Sequence, residues 1–377
     1  MIKKIRIRNF KCYGPRGADF NLGRVNFIYG DNSVGKSSFL QFLEMLVDNI
    51  DHNERYSREL FAKHLFRGQA AGESSGFVTA QIRVVTENTH IPEKRDLMFG
   101  PVQGAEGAGS YALTTDEGLL IGPGFWDGVL PKCGGEKRIT HMLAPRSVKK
   151  DAFLESGVRS EMAGGLESLG FVNQVEMESN KNSAEYLNDI FKRLGIHYSC
   201  VLEGKEVSST VIHDDDFGID VEISAIGTGI AGLINLAFTL REWKGGILAI
   251  EEPETNVNEA QLGALTKVLI EESAKRPQGQ LIVECHSELM IWKLAALVKQ
   301  NVLRSVYRKT VTGVEADALS DGDLIQEGSL SIHVVSKLPS GSVSRPVSIL
   351  AKGDIVWPEG FFPAKGEVLR ELFGVQA

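Results

Sequence analysis

A β-rich run, a loop bounded by two glycines and an amphipathic helix follow one another between Arg24 and Ile50, and this order limits what the chain can fold into. Arg24-Val-Asn-Phe-Ile-Tyr29 has strand character, and Gly30-Asp31-Asn32-Ser33-Val34-Gly35-Lys36-Ser37 fits G-x-x-x-x-G-K-S/T. From Ser38 onward, Phe39, Leu43, Leu46 and Ile50 share one helical face. Gly30 and Gly35 permit backbone angles that a side chain would forbid, so successive N–H groups can curl around a phosphate at the positive end of the helix. Lys36 then supplies a point charge to the outer phosphates. The Ser37 hydroxyl suits Mg2+, a hard cation that prefers oxygen and bridges phosphate oxygens. Gly30 to Ser38 therefore reads as a cradle for a nucleoside triphosphate.

The 377 residues, 42% of them hydrophobic, are enough for one large domain or roughly two to three smaller ones. Met1 to Arg8 alternates charge with isoleucine, unlike the apolar run of a signal peptide, and no later stretch reaches membrane-spanning length. Cys12, Cys133, Cys200 and Cys285 lie far apart with no C-x-x-C pair, as expected in a reducing compartment. The expectation is a cytoplasmic protein. The net charge is −8, yet basic residues cluster. Lys3, Lys4, Arg6, Arg8, Lys11, Arg16 and Arg24 stand against Asp19; Lys132, Lys137, Arg138, Arg146, Lys149 and Lys150 stand against Glu136. Such patches either neutralise phosphates or form solvated faces.

Four stretches follow from the pattern: an N-terminal lobe over 1–85, an insertion over 86–220, a second lobe over 221–310 and a C-terminal domain over 311–377. Ile5 and Ile7 alternate with Lys4, Arg6 and Arg8 as in a half-buried strand, and Val78 to Val85 reads as another. Gly100 to Gly124 is glycine-rich and loop-like, and a helix capped by Ser183 is expected to stop at Gly195. Later, Ser224-Ala-Ile-Gly227-Thr-Gly229 precedes a helix running to about Trp243. The apolar run Ile247 to Ile250 closes on Glu251-Glu252-Pro253-Glu254, a buried parallel strand delivering carboxylates to the edge where open α/β sheets bind ligands. A helix from Glu259 to Lys275 and a strand from Gln280 to Glu284 repeat the unit and bring His286 and Ser287 to that edge.

These residues divide the chemistry of phosphoryl transfer. Glu251 would hold Mg2+ directly or through water, while Glu252 would polarise the water that attacks the outermost phosphorus. His286 is placed as a sensor of that phosphate, or as a structural histidine. Ser224, Gly227 and Gly229 fit a second anion site at a helix N-terminus, or a turn and cap.

The order of cradle, long insertion, S-x-x-G-x-G helix start, Ile250-Glu-Glu-Pro-Glu254 and Glu284-Cys-His-Ser287 resembles the ABC-type ATPase heads of the SMC, RecF and OLD group. Trp357-Pro-Glu-Gly-Phe-Phe362, Leu143-Ala-Pro-Arg146 and Tyr186 to Tyr198 look like small bacterial OLD-type AAA ATPases with a closing Trp-Pro-x-Gly-Phe-Phe domain. The resemblance implies an α/β fold: a RecA-like, mostly parallel core sheet, an antiparallel β-subdomain, a mixed insertion and a small C-terminal domain. It also makes Gly30 to Ser38 Walker A, Ser224 to Gly229 the signature, Glu251 and Glu252 Walker B, Pro253 to Asn258 the D-loop and His286 the switch histidine. Gln69 is the position it offers for the Q-loop glutamine. Two positions depart from the pattern: the signature is not Leu-Ser-Gly-Gly-Gln, and Glu254-Thr-Asn-Val-Asn258 replaces Leu-His-Leu-His.

By the same resemblance the chain binds and hydrolyses ATP with Mg2+, pairs head to tail with itself around ATP, and controls a co-encoded nuclease or other effector on DNA in phage defence. The alternative is a stand-alone RecF-like repair ATPase. Asp321-Gly-Asp323 lacks the strand-plus-glutamate pattern of a nuclease centre, and no Asn-Lys-x-Asp motif marks a GTPase. A small-molecule kinase would leave the S-x-x-G-x-G helix and His286 unexplained.

Overall fold

The computed structural model describes residues 1–52, 56–57, 80–84, 95–101, 110–115, 132–133, 138–142, 177–202, 210–222, 226–255, 257–300, 330–350 and 354–358. In chain order the elements are β1 (Lys4–Ile7), β2 (Ala18–Asn21), β3 (Val25–Tyr29), α1 (Lys36–His52), β4 (Tyr56–Ser57), β5 (Ala80–Val84), β6 (Arg95–Pro101), β7 (Ser110–Thr115) and β8 (Ile139–Met142). Then come α2 (Met177–Leu194), β9 (Tyr198–Leu202), β10 (Thr210–Asp214), β11 (Ile219–Glu222), α3 (Thr228–Glu242), β12 (Gly246–Glu251), α4 (Glu259–Ala274), β13 (Gly279–Cys285) and α5 (Glu288–Lys299). The last are β14 (Leu330–Leu338), β15 (Gly341–Ile349) and β16 (Ile355–Val356).

The central sheet has the order β16-β15-β14-β3-β13-β12-β8. From β14 to β8 every neighbouring pair is parallel, and β15 and β16 close the other side antiparallel. All residues of β3, β12 and β13 are buried, as the two covered faces of a parallel sheet require. Alternation splits them. Val25, Phe27, Leu248, Ile250, Leu281 and Val283 join the cluster formed with α2, α3, α4 and α5. Ile28, Ile247, Ala249 and Ile282 join Phe39, Phe42, Leu43 and Leu46 of α1 with Ile5, Ile7 and Phe20 of the β1–β2 hairpin. The smaller sheets are antiparallel, β4-β7-β6-β5 and β11-β10-β9.

The central sheet draws strands from all four stretches: β3, β8, β12 with β13, and β14 to β16. Several expectations change. The stretch from Gly100 to Gly124 is not only loop, because β6 runs into it and β7 lies inside it, the two pairing in register from Leu97 with Thr115 to Pro101 with Tyr111. Glycine weakens a strand, but cross-strand pairing overrides that local preference. Ser183 is not a cap, since α2 starts at Met177; a serine inside a helix carries the same local signal as one at its start. Gly195, at φ +68°, does end it. Gln69, Arg146, Lys149, Ser224, Asp321, Asp323, Phe361 and Phe362 lie outside the described residues. Trp357 packs against the head, its ring 5.9 Å from that of Tyr29, the residue preceding the cradle.

Candidate active site

The cradle begins where β3 ends. Gly30 and Gly35 have φ of +155° and +115°, and a Cβ there would overlap the Val335 carbonyl of β14 or the Cys12 sulfur. The loop thus needs glycine for both backbone angle and space. Two side chains brace it from outside: the Tyr13 hydroxyl donates to the Gly35 carbonyl at 2.8 Å, and the Ser342 hydroxyl of β15 donates to the Val34 carbonyl.

Lys36 opens α1 and is only 3% exposed. Its ammonium donates to the carbonyls of Gly30 at 2.9 Å and Asp31 at 2.7 Å and lies 3.3 Å from His286 Nδ1. An ammonium has no lone pair, so Nδ1 accepts and Nε2 carries the imidazole proton. Nε2 then donates to Glu252 Oε1 at 3.1 Å. Burial, and next the charge of Lys36, pull the pKa of His286 below its ordinary value, which suits a neutral ring. Lys36, His286 and Glu252 form one hydrogen-bonded chain. Glu252 itself has φ +44°, a left-handed conformation costing about 1 kcal/mol for a non-glycine residue. It is fixed by its N–H on the Glu284 carbonyl at 2.9 Å and by Thr255 Oγ1 at 3.2 Å. Glu254 Oε1 accepts from the backbone N–H groups of His286 and Ser287, joining the turn after β12 to the turn after β13.

Because β13 lies between β3 and β12, the residue directly opposite Glu251 is Glu284. Strand alternation turns both toward α1. The Ser37 hydroxyl donates to Glu284 Oε1 at 2.8 Å, and Lys36 Nζ is 4.0 Å from the same oxygen. Burial, reinforced by the charge of Glu251 and only partly offset by Ser37, holds the Glu284 carboxyl up at about 7. Glu251 bonds instead to His141 Nε2 at 3.2 Å, and His141 Nδ1 meets Glu44 Oε2 of α1 at 2.9 Å. Burial pulls this histidine down, but its two carboxylate hydrogen bonds outweigh that and hold it at about 9. It is therefore an imidazolium between two carboxylates.

A cavity of about 540 Å3 opens over this arrangement, lined by Lys11, Cys12, Asn32, Ser33, Gly35, Lys36, Ser37, Ser38, Glu252, Glu284 and His286. Its donors and acceptors fit a nucleotide with a divalent cation. A hydroxyl and carboxylates offer the oxygens that a hard cation prefers, and Glu252, Glu284 and His286 bring ligand atoms within 4.8 Å of one another. Cradle, Lys36, Ser37, Glu252 and His286 are thus brought together. Gly227 and Gly229, at the start of α3, are not among the lining residues. Two residues went unnoticed in the sequence. Glu284 ends an apolar run on an acid just as Glu251 does, so its signal was present; His141, in a four-residue strand, offered none.

Residues 1–97 match the family model described as AAA ATPase domain. Comparison of the sequence with curated proteins finds no match. Among solved structures, the SMC head domain from Thermotoga maritima superposes with a TM-score of 0.51 at 14% identity, covering 92% of this chain and 99% of that one. The fold is that of an ABC-type ATPase head. An Smc head bound to the C-winged helix domain of ScpA gives 0.54 at 16% identity, with 92% and 98% covered. An Smc head with an extended coiled coil, bound to the C-terminal domain of ScpA derived from Pyrococcus furiosus, gives 0.53 at 13%, with 92% and 96% covered. The match over residues 1–97 and this fold together support an ATP-hydrolysing enzyme. No helix among its described residues is long and apolar enough to cross a membrane.

Proposed function

We propose that this ATPase head is a nucleotide-driven switch: two copies close head to tail around ATP, and closure controls a partner effector, a nuclease, on DNA in bacterial phage defence. The supporting observation is how the site is divided. The cavity holds cradle, Lys36, Glu252 and His286, whereas the start of α3 lies apart from it, with Gly227 exposed and no side chain capping the helix. A second copy would present that helix start, whose N–H groups no side chain caps, to phosphates held here.

In this reading Lys36 and the loop N–H groups of Gly30 to Ser38 bind the phosphates, and Lys36 turns from its own loop carbonyls toward them. Ser37 would hold Mg2+ directly and Glu251, which is engaged by His141 and does not line the cavity, through a water, the cation's charge offsetting that of the phosphates. Glu252 takes the proton of the attacking water. His286 orients Glu252 through Nε2 and relays the state of the cradle through Nδ1.

The need for a partner is supported by the similar Smc heads, two of which are bound to a domain of ScpA. Lys4 and Arg6 lie 3.9 and 3.8 Å from Asp19, which offsets part of the basic strand and favours this reading over a RecF-like protein acting on DNA alone. The test is light scattering of Glu252→Gln with ATP, and of the same variant carrying Lys36→Ala. An ATP-dependent rise in mass that Lys36→Ala abolishes supports the closure. Mass that never responds to ATP removes it.

A further inference from the structure

We propose that Glu284 is a ligand, directly or through one water, of the divalent cation that accompanies the nucleotide, sharing that duty with Ser37. This rests on the nucleotide reading of the site and adds a residue to it. Ser37 donates its single hydroxyl proton to Glu284 Oε1 at 2.8 Å, so its oxygen keeps its lone pairs for a cation beside that carboxylate. The other oxygen, Glu284 Oε2, is buried and has no hydrogen-bond partner among the described residues, although its side chain is only 2% exposed. A buried carboxylate oxygen is costly to leave in that condition.

The neighbouring cations do not answer it. The Lys36 ammonium approaches only to 4.0 Å while donating to two loop carbonyls and contacting His286, and the His141 imidazolium is engaged by Glu251 and Glu44. Glu284 nevertheless lines the cavity beside Ser37, Glu252 and His286. Oxygen donors from a hydroxyl and a carboxylate, one of them unmatched, form the set that a hard divalent cation takes.

The experiment titrates Mn2+, followed by the loss of its free electron paramagnetic resonance signal, into the full chain holding a non-hydrolysable ATP analogue. ATP binding in EDTA is measured alongside. Glu284→Gln should neither weaken metal-free nucleotide affinity nor lower the melting temperature, and should lose about 10–100-fold in Mn2+ affinity. Glu284→Asp, which keeps the charge, should lose less. Unchanged Mn2+ affinity in Glu284→Gln overturns the assignment while leaving the nucleotide site standing. A parent chain that binds no nucleotide overturns the site itself, a result distinct from the first.

Discussion

Glu251 and Glu284 stand directly opposite each other on adjacent parallel strands, yet each carboxylate has a different neighbour: His141 for the first and Ser37 for the second. Paired acids facing one helix would repel. The imidazolium of His141 relieves that repulsion on one side by joining Glu251 to Glu44 of α1. Removing it with His141→Ala should cost about 3 kcal/mol, the low end for taking one partner from a buried ion pair. Denaturant unfolding reads the loss, and an unchanged midpoint would show that the imidazole contributes nothing.

A second ionic centre ties the helices that cover the opposite face. Glu272 of α4, fully buried, accepts from Arg193 at 2.6 Å, Lys275 at 2.7 Å, Tyr186 at 2.8 Å and Arg276 at 3.2 Å. Burial raises its carboxyl, but Lys275, Arg193 and Tyr186 outweigh that and bring it down to about 2. A carboxyl depressed on folding stabilises above its unfolded pKa, and that contribution disappears as pH falls through the folded value. The parent should therefore exceed Glu272→Gln by about 3 kcal/mol at neutral pH. The lead should shrink between about pH 4.5 and pH 2. Thermal melts of both chains across that range check the sign; a lead that grows toward acid would refute it.

The cradle's glycines make a sharper prediction. A Cβ at Gly35 would occupy the place of the Cys12 sulfur at a φ that side chains rarely adopt. Gly35→Ala should thus abolish nucleotide binding and lower stability by at least about 1 kcal/mol. Fluorescent-nucleotide titration with a parallel melt measures both, and intact binding would mean the loop tolerates rearrangement.

How far the sequence alone revealed the site depends on how local each signal is. Gly30 to Ser37 and the apolar run closing on Glu251-Glu252 are contiguous patterns, and both fold as their chemistry suggests. Sheet order is not a contiguous property. That β13 would lie between β3 and β12, bringing Glu284 to Ser37, depends on pairing across more than two hundred residues. The four residues of β8 carry too little periodicity to reveal an edge strand. Burial of the central strands was legible as unbroken apolar runs, whereas β7 was hidden by glycines whose local preference cross-strand pairing overrode.

Lys36, His286 and Glu252 form one hydrogen-bonded unit over the cradle. The most direct test of its role is ATP binding and steady-state hydrolysis by the parent, Lys36→Ala and Glu252→Gln, with all three confirmed folded by melting. Lys36→Ala should lose binding, and Glu252→Gln should keep binding while hydrolysis falls about 10²–10⁴-fold, the usual loss for one positioned base. Parental turnover by Glu252→Gln, or undiminished ATP affinity in Lys36→Ala, would contradict the account.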